Sequence, residues 1–375
     1  MRRSSLRVRV DDAGRVEIVD PGFAELPLLR DIDPTFTVRS KRLPGFSLPK
    51  LLATRAQRTP VSFESARALS TGALWGIHDE CMRKLKAEVD STSADTASFA
   101  SLLDIKTLLA QRMLRRCGLC ARRCNVDRTR GELGVCGLSA AAYVAEHFVH
   151  ISEESPINPS LVLNLHGCGL RCRFCQQHAI LAPRSRGSVR LDASLWQQLD
   201  LKGARSLSFV GGNPDESMPE ILKFLGTAPA DWRLPVVWNN HAYSTPEVMQ
   251  LLDGVIDAYV PDLKYMDARC GERLSGVAEY PDTATDAIRK MLYQRVPVFV
   301  RVLVLPGHND CCHLPAMEFL GGLSGFENLF VSIRGQYSPD WKIGARDGEL
   351  HRRPHTSEIQ HVTKRAADLG LRIVN

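Results

Sequence analysis

Three cysteines fall within eight residues of the stretch HGCGLRCRFCQQ: Cys168, Cys172 and Cys175, spaced C-x3-C-x2-C. Thiolates are soft ligands that select zinc, copper(I) and iron-sulfur clusters. A structural zinc site is closed by four ligands, commonly as two paired knuckles. This stretch has no second pair, although His166 or His178 would supply a fourth donor. A 4Fe-4S cube held by only three thiolates leaves one iron open to a small molecule, and the spacing points to that arrangement. A second set, Cys117, Cys120, Cys124 and Cys136, is spaced C-x2-C-x3-C-x11-C, with glycines at 118, 131, 134 and 137 for tight turns. Four thiolates so close together imply a closed metal site. Spacing leaves zinc and an auxiliary Fe-S cluster both open. Unmetallated core cysteines are the bland alternative for both sets, and the tight clustering argues against it.

Elements must bring these ligands to one place. From about residue 159, apolar runs LVLNLHG, SLSFVGG, VVWNN, IDAYVPDLK, VFVRVLVLPG and LFVSIRG alternate with segments of helical character. That rhythm predicts βα units around a parallel sheet. Polar and glycine residues end the first four runs: Cys168, then Gly211, Gly212 and Asn213, then Asn239 and Asn240, then Asp262 and Lys264. Active sites of parallel βα architectures gather at that end of the strands. Ahead of the four-cysteine set, FASLLDIKTLLAQRMLRRC carries apolar residues at Leu102, Ile105, Leu108 and Leu109 and reads as a helix. Near the N-terminus, LRVRVDDAGRVEIVD alternates around an Asp-Ala-Gly turn and reads as a β-hairpin, while PGFSLPK and STSADTAS read as linker or surface loop.

The chain has 375 residues, 44% of them hydrophobic, enough for one large domain or two unequal ones. Eleven cysteines, an odd number gathered mainly in two clusters, favour metal binding in a reducing compartment over a disulfide framework. No apolar run approaches membrane-spanning length and no apolar stretch follows the basic start, so the expected location is the cytoplasm. Net charge is +6, and residues 1–60 hold 12 Lys and Arg against 7 Asp and Glu. That basic lead could steer an acidic partner. Aromatic interleaving of the kind that stacks bases is missing from it, so nucleic acid is not the expected ligand.

With these residues in place, the chain resembles the radical S-adenosylmethionine enzymes, whose signature C-x3-C-x-aromatic-C is matched with Phe174 at the aromatic position. The resemblance implies a 4Fe-4S cluster on Cys168, Cys172 and Cys175, with S-adenosylmethionine on the open iron. It also implies reductive cleavage to a 5'-deoxyadenosyl radical that abstracts hydrogen from a substrate. FVGGNPD resembles the family's Gly-rich motif, implying cofactor contacts at Gly211, Gly212 and Asn213; Asn239 ends the next run. Asp262 and Lys264 match the D-x-K element, and Arg301 the strand arginine, of activating enzymes of pyruvate formate-lyase type. The cysteine-rich element, GGNPD and QYSPDWK together resemble an uncharacterised branch of those homologues. The chain departs from that branch at Gly169, where Asn is common, and at His241-Ala242, where Asn-Gly is common.

The fold so implied is α/β: a radical SAM partial (β/α)6 barrel with an N-terminal cysteine-rich metal-binding element and an extra N-terminal segment. The expected units are residues 1–95, an extension; 96–150, a helix plus the four-cysteine element; and 151–375, the barrel. Expected partners are flavodoxin or ferredoxin as electron donor and a glycyl radical enzyme whose backbone glycine is the target. The alternative is a tailoring enzyme acting on a small molecule or peptide in a biosynthetic pathway; the alternative of another class is a metal-stapled binding module. Cys81 and Cys270 stand alone in sequence, with a radical relay as the functional reading of Cys270. Adjacent Cys311 and Cys312 are read as helix-start or packing residues, because neighbouring cysteines do not easily share one metal geometry. His308 follows a strand on the same face and is read as a loop histidine or a donor to the ligand's ribose.

Overall fold

The computed structural model describes residues 8–10, 16–18, 40–87, 99–201, 203–339 and 341–374. Strands β1 (Val8–Val10) and β2 (Val16–Ile18) pair antiparallel, as the hairpin pattern requires; the expected turn and the STSADTAS linker lie outside the described residues. Helix α1 (Lys50–Ala56), strand β3 (Arg58–Ser62) and helices α2 (Phe63–Ala68) and α3 (Thr71–Lys86) follow. Next come β4 (Phe99–Ser101), paired with β3, and α4 (Leu102–Arg112). A capping box starts α4: Ser101 Oγ accepts from Asp104 N at 3.1 Å while Asp104 returns a carboxylate to Ser101 N at 2.7 Å. Leu51, Ala66 and Leu74 of this region join the main core.

The main sheet has eight strands in the order β12-β11-β10-β9-β8-β6-β5-β7. In chain order they are β5 (Tyr143–His150), β6 (Ser160–Leu165), β7 (Val189–Arg190), β8 (Ser206–Gly211), β9 (Val236–Asn240), β10 (Ala258–Pro261), β11 (Val298–Leu303) and β12 (Leu329–Arg334). The six expected runs are the six parallel strands β6, β8, β9, β10, β11 and β12. All six positions of β6 are buried, which only a strand covered on both faces allows. Helices α5 (Met218–Gly226), α6 (Pro246–Leu252), α7 (Ala268–Ser275), α8 (Tyr280–Tyr293), α9 (Leu314–Gly321) and α10 (Thr356–Asp368) supply that cover and complete a partial (β/α)6 barrel. Strand β5 runs antiparallel to β6, flanked by the two-residue edge strand β7, and is not among the expected runs. Its burial is mixed, with Val144 and Val149 buried, Glu146 and Phe148 exposed and a register shift between Val144 and Glu146, so no clean two-residue period marks it. Among the described residues, no helix is long and apolar enough to cross a membrane.

Candidate active site

The loop after β6 carries Cys168, Cys172 and Cys175, and the loops after β8, β9 and β10 converge on it. All eleven residues singled out for the cluster and its ligand line one cavity of about 340 Å³: the three cysteines, Phe174, Gly211, Gly212, Asn213, Asn239, Asp262, Lys264 and Arg301. Cys168 and Cys172 are buried, and Cys172 Sγ accepts from Ser275 Oγ at 3.0 Å. Phe174 packs edge-on against Tyr265 and Tyr337. Burial, and then Glu216, push the Cys168 thiol well above its ordinary value. Deprotonation there therefore needs a compensating cation.

Gly211 and Gly212 are required by backbone crowding. A Cβ at Gly211, where φ is +107°, would lie 2.3 Å from Leu165 N; one at Gly212 would lie 1.9 Å from Gly167 O. Only glycine allows the end of β8 to pass so near the cysteine loop. Lys264 Nζ donates to Asp262 Oδ2 at 2.6 Å. Burial opposes the ammonium charge, but Asp262 and Cys172 more than offset it and raise the lysine's pKa.

Sequence reasoning missed a buried polar layer beneath the cavity. Asp215 accepts from Trp238 Nε1 at 2.7 Å and Asn240 Nδ2 at 3.0 Å, and from Ser244 Oγ; burial still lifts its pKa. Glu216 accepts from Gly169 N at 2.7 Å and from Asn213 Nδ2, with His241 Nε2 3.4 Å away. Burial opposes its charge, yet His241, Asn213 and Gly169 hold its carboxyl below the ordinary value. Asn213 Oδ1 accepts from His241 N at 3.0 Å, so both ends of that amide brace the loops. The signal was present in GGNPDE, where the two adjacent acids follow Asn213 and Pro214 just after the Gly-Gly pair.

Arg301 is held by two acids that are distant in sequence. Its Nε and Nη2 donate to Glu154 at 2.7 and 2.6 Å, and Nη2 also reaches Glu153, while Arg334 Nη2 holds Glu154 Oε1 at 2.7 Å. His308 is not among the cavity's lining residues: its Nδ1 meets Pro306 O at 2.7 Å and its Nε2 meets Arg273 Nη2 at 2.9 Å.

The four-cysteine element packs directly against this site. Cys117 and Cys120 are near Cys136, and the sulfurs of Cys124 and Cys136 both flank Gly134. Buried Arg128 donates to Ser139 O through Nη2 at 2.6 Å and to Glu216 O through Nη1 at 2.8 Å, with Cys117 Sγ 3.8 Å from Nη1. Arg122 clamps the cysteine loop to α7, donating to Gly169 O, Ser275 O and Gly276 O at 2.7–3.0 Å. The departure at Gly169 has a steric reason: a Cβ there would lie 2.8 Å from Glu216 Oε1 and 3.0 Å from Cys120 Sγ. Ala242 takes φ +58°, a left-handed conformation that favours glycine, which accounts for the glycine common at that position.

The remaining cysteines require one correction. Cys81 is buried and stands apart; Cys311 and Cys312 do sit at a helix start and Cys270 and Cys312 do pack in the core, but Cys270 is not isolated in space, because the sulfurs of Cys270, Cys311 and Cys312 lie within 4.8 Å of one another. A π-helical turn over Asn309–His313 makes this possible, because its wider coil rotates successive side chains by less than the roughly 100° of an α-helix.

A parallel βα barrel with a three-cysteine loop at its strand ends defines a class, and the comparisons agree. Residues 165–320 match the Radical SAM superfamily. The chain is 30% identical over 326 residues to the uncharacterised protein MJ0674 of Methanocaldococcus jannaschii, covering 84% of this chain and 93% of that protein. Residues 165–320 therefore carry a Radical SAM superfamily domain, a family that implies a 4Fe-4S cluster and S-adenosylmethionine. Among solved structures it is similar to Streptococcus suis SuiB bound to S-adenosylmethionine, at 16% identity and TM-score 0.39, covering 55% of this chain and 47% of SuiB. It is also similar to a domain of pyruvate-formate lyase-activating enzyme from Bacteroides vulgatus, at 15% identity and TM-score 0.30, covering 37% and 80% respectively. The chain thus spans about half the length of SuiB.

Proposed function

We propose that Cys168, Cys172 and Cys175 hold the 4Fe-4S cluster and that the rest of the cavity holds S-adenosylmethionine. The observation that carries this reading is the convergence of four strand-end loops on one cavity of about 340 Å³, within the range of small-ligand sites. When bound, the cluster and the sulfonium ligand supply a carbon radical by one-electron reduction. The chain's own residues bind, orient and shield. Lys264, kept charged by Asp262, offers an ammonium to the ligand's carboxylate. Backbone groups at Gly211 and Gly212 and the side chain of Asn239 line its remaining boundary. Asn213 and Arg301 hold the loops through Glu216 and through Glu153 and Glu154. Ser275 donates to Cys172 and stabilises its thiolate.

The four-cysteine element is proposed as a second closed metal site, zinc or Fe-S. The division at residues 95 and 150 marks an added segment, of which residues 50–86 are built onto the barrel. Flavodoxin or ferredoxin is the proposed electron source. The proposed target is a backbone glycine of a partner glycyl radical enzyme; a small molecule or peptide of a biosynthetic pathway is the second reading, favoured by the helical segment 50–86 that accompanies the barrel. Electron paramagnetic resonance of the dithionite-reduced protein tests the site: adding S-adenosylmethionine should change the cluster signal. An identical signal with and without the ligand contradicts ligation. A glycyl-radical signal on co-incubation with candidate partners then separates the two substrate readings.

A further inference from the structure

The helical segments that follow β10 and β11 bring three thiols together outside the cavity. Cys270 comes from the first turn of α7, and Cys311 and Cys312 from the π turn that precedes α9. Cys270 and Cys312 are buried and Cys311 is half-buried. We propose that Cys270, Cys311 and Cys312 form a further metal site, taking one zinc ion with water in the fourth position.

Several observations support the site. Four sulfurs about 2.3 Å from zinc in a tetrahedron stand about 3.8 Å apart, and Cys270 Sγ and Cys311 Sγ are separated by 3.7 Å. The backbone N–H groups of Met266 and Asp267 lie near Cys312 Sγ and favour a thiolate there. Three thiolates on a divalent cation leave a net negative charge; the Arg269 guanidinium lies beside Cys270 and Cys311, where its own partner is the Asp267 carboxylate, Nη2 donating to Oδ2 at 2.7 Å. The nearby histidines are otherwise engaged: His313 Nε2 accepts from Leu305 N at 3.2 Å, and both nitrogens of His308 have partners. Binding is a plain exchange in which zinc enters and three thiol protons leave; no redox step is involved.

The site would staple α7 to the loop after β11. Because α7 ends at Ser275, whose hydroxyl donates to Cys172 Sγ, the staple acts as a positioning device for the active-site loop. Its contents are independent of the cluster reading, so the two can fail separately.

The test is metal stoichiometry of the full chain, incubated anaerobically with zinc and freed of loose metal by gel filtration. Cys311→Ser, at the half-buried position, and Cys270→Ser should each hold one zinc fewer than the wild type with iron and sulfide unchanged. Cys81→Ser should match the wild type. Zinc X-ray absorption should show the corresponding loss of a sulfur shell near about 2.3 Å. Equal zinc in all four proteins overturns the proposal. So does a Cys270–Cys311 disulfide in peptides from anaerobically prepared protein, or loss of iron instead of zinc from the Cys311 variant.

Discussion

Replacing Arg301 with methionine tests whether the arginine serves mainly to neutralise the acids around it. In the wild type its guanidinium bonds Glu154 twice and reaches Glu153, and Glu153 is 6% and Glu154 0% exposed. Removing one partner of a buried ion pair costs about 3–5 kcal/mol, because a charge is left without compensation. Arg334 remains on Glu154 Oε1 at 2.7 Å, and His150 Nδ1 remains 2.9 Å from Glu153 Oε1, so the expected loss lies at the lower end, about 3 kcal/mol. Burial opposes both acids' charge, but Arg301 and its neighbours hold their folded-state pKa values below 4.5. Their contribution to wild-type stability is therefore present above pH 4.5 and lost as pH falls further. In Arg301→Met burial is less opposed and should raise those values. The variant's deficit should then shrink as pH falls from 7.5 toward 5, because the folded state takes up protons first. Urea unfolding at several pH values measures this. A deficit below about 1 kcal/mol, or one that does not change with pH, refutes the reasoning.

Three further outcomes follow from particular contacts. Gly169→Asn should destabilise the protein by about 1–3 kcal/mol and lower its iron content, since the new Cβ meets Glu216 and Cys120 at 2.8 and 3.0 Å; thermal unfolding and iron analysis measure both effects. Ser275→Ala removes a hydrogen bond to Cys172 that favours the reduced, more negative cluster, so potentiometry should find the midpoint on the order of 50 mV lower. Lys106 is fully buried with His78 Nε2 3.0 Å from its Nζ, and burial lowers its pKa to about 7, below the 10.5 of the unfolded chain. Stability should therefore rise between pH 7 and pH 10, by up to about 1.4 kcal/mol per unit, and Lys106→Met should flatten that rise in unfolding curves.

The barrel was legible because a strand buried on both faces reads as a near-continuous apolar run, as in SLVLNL of β6, where only Ser160 and Asn164 are polar. Strand β5 escaped because its half-exposed pattern, YVAEHFVH, interleaves charged and apolar residues between two cysteine clusters. Most of the cavity residues were legible because they lie at or beyond the C-terminal end of a run, where chain direction aims them at the shared face; Arg301 lies within β11 and was legible only through the resemblance. Arg301 was found, but its acidic partners were not: Glu153 and Glu154 precede it by 148 and 147 positions, and no local pattern links them. The grouping of Cys270 with Cys311 and Cys312 was hidden for two reasons. It depends on two separate helical segments meeting, and on a π turn that helical periodicity cannot foresee.

If Cys168, Cys172 and Cys175 and the cavity they line make a reductive sulfonium-cleaving site, its product is directly measurable. Anaerobic reconstitution with iron and sulfide, followed by dithionite and S-adenosylmethionine, should release 5'-deoxyadenosine and methionine from the wild type and neither from Cys172→Ala. Release at equal rates from both proteins, or from neither when the wild type carries its full iron complement, would contradict the account.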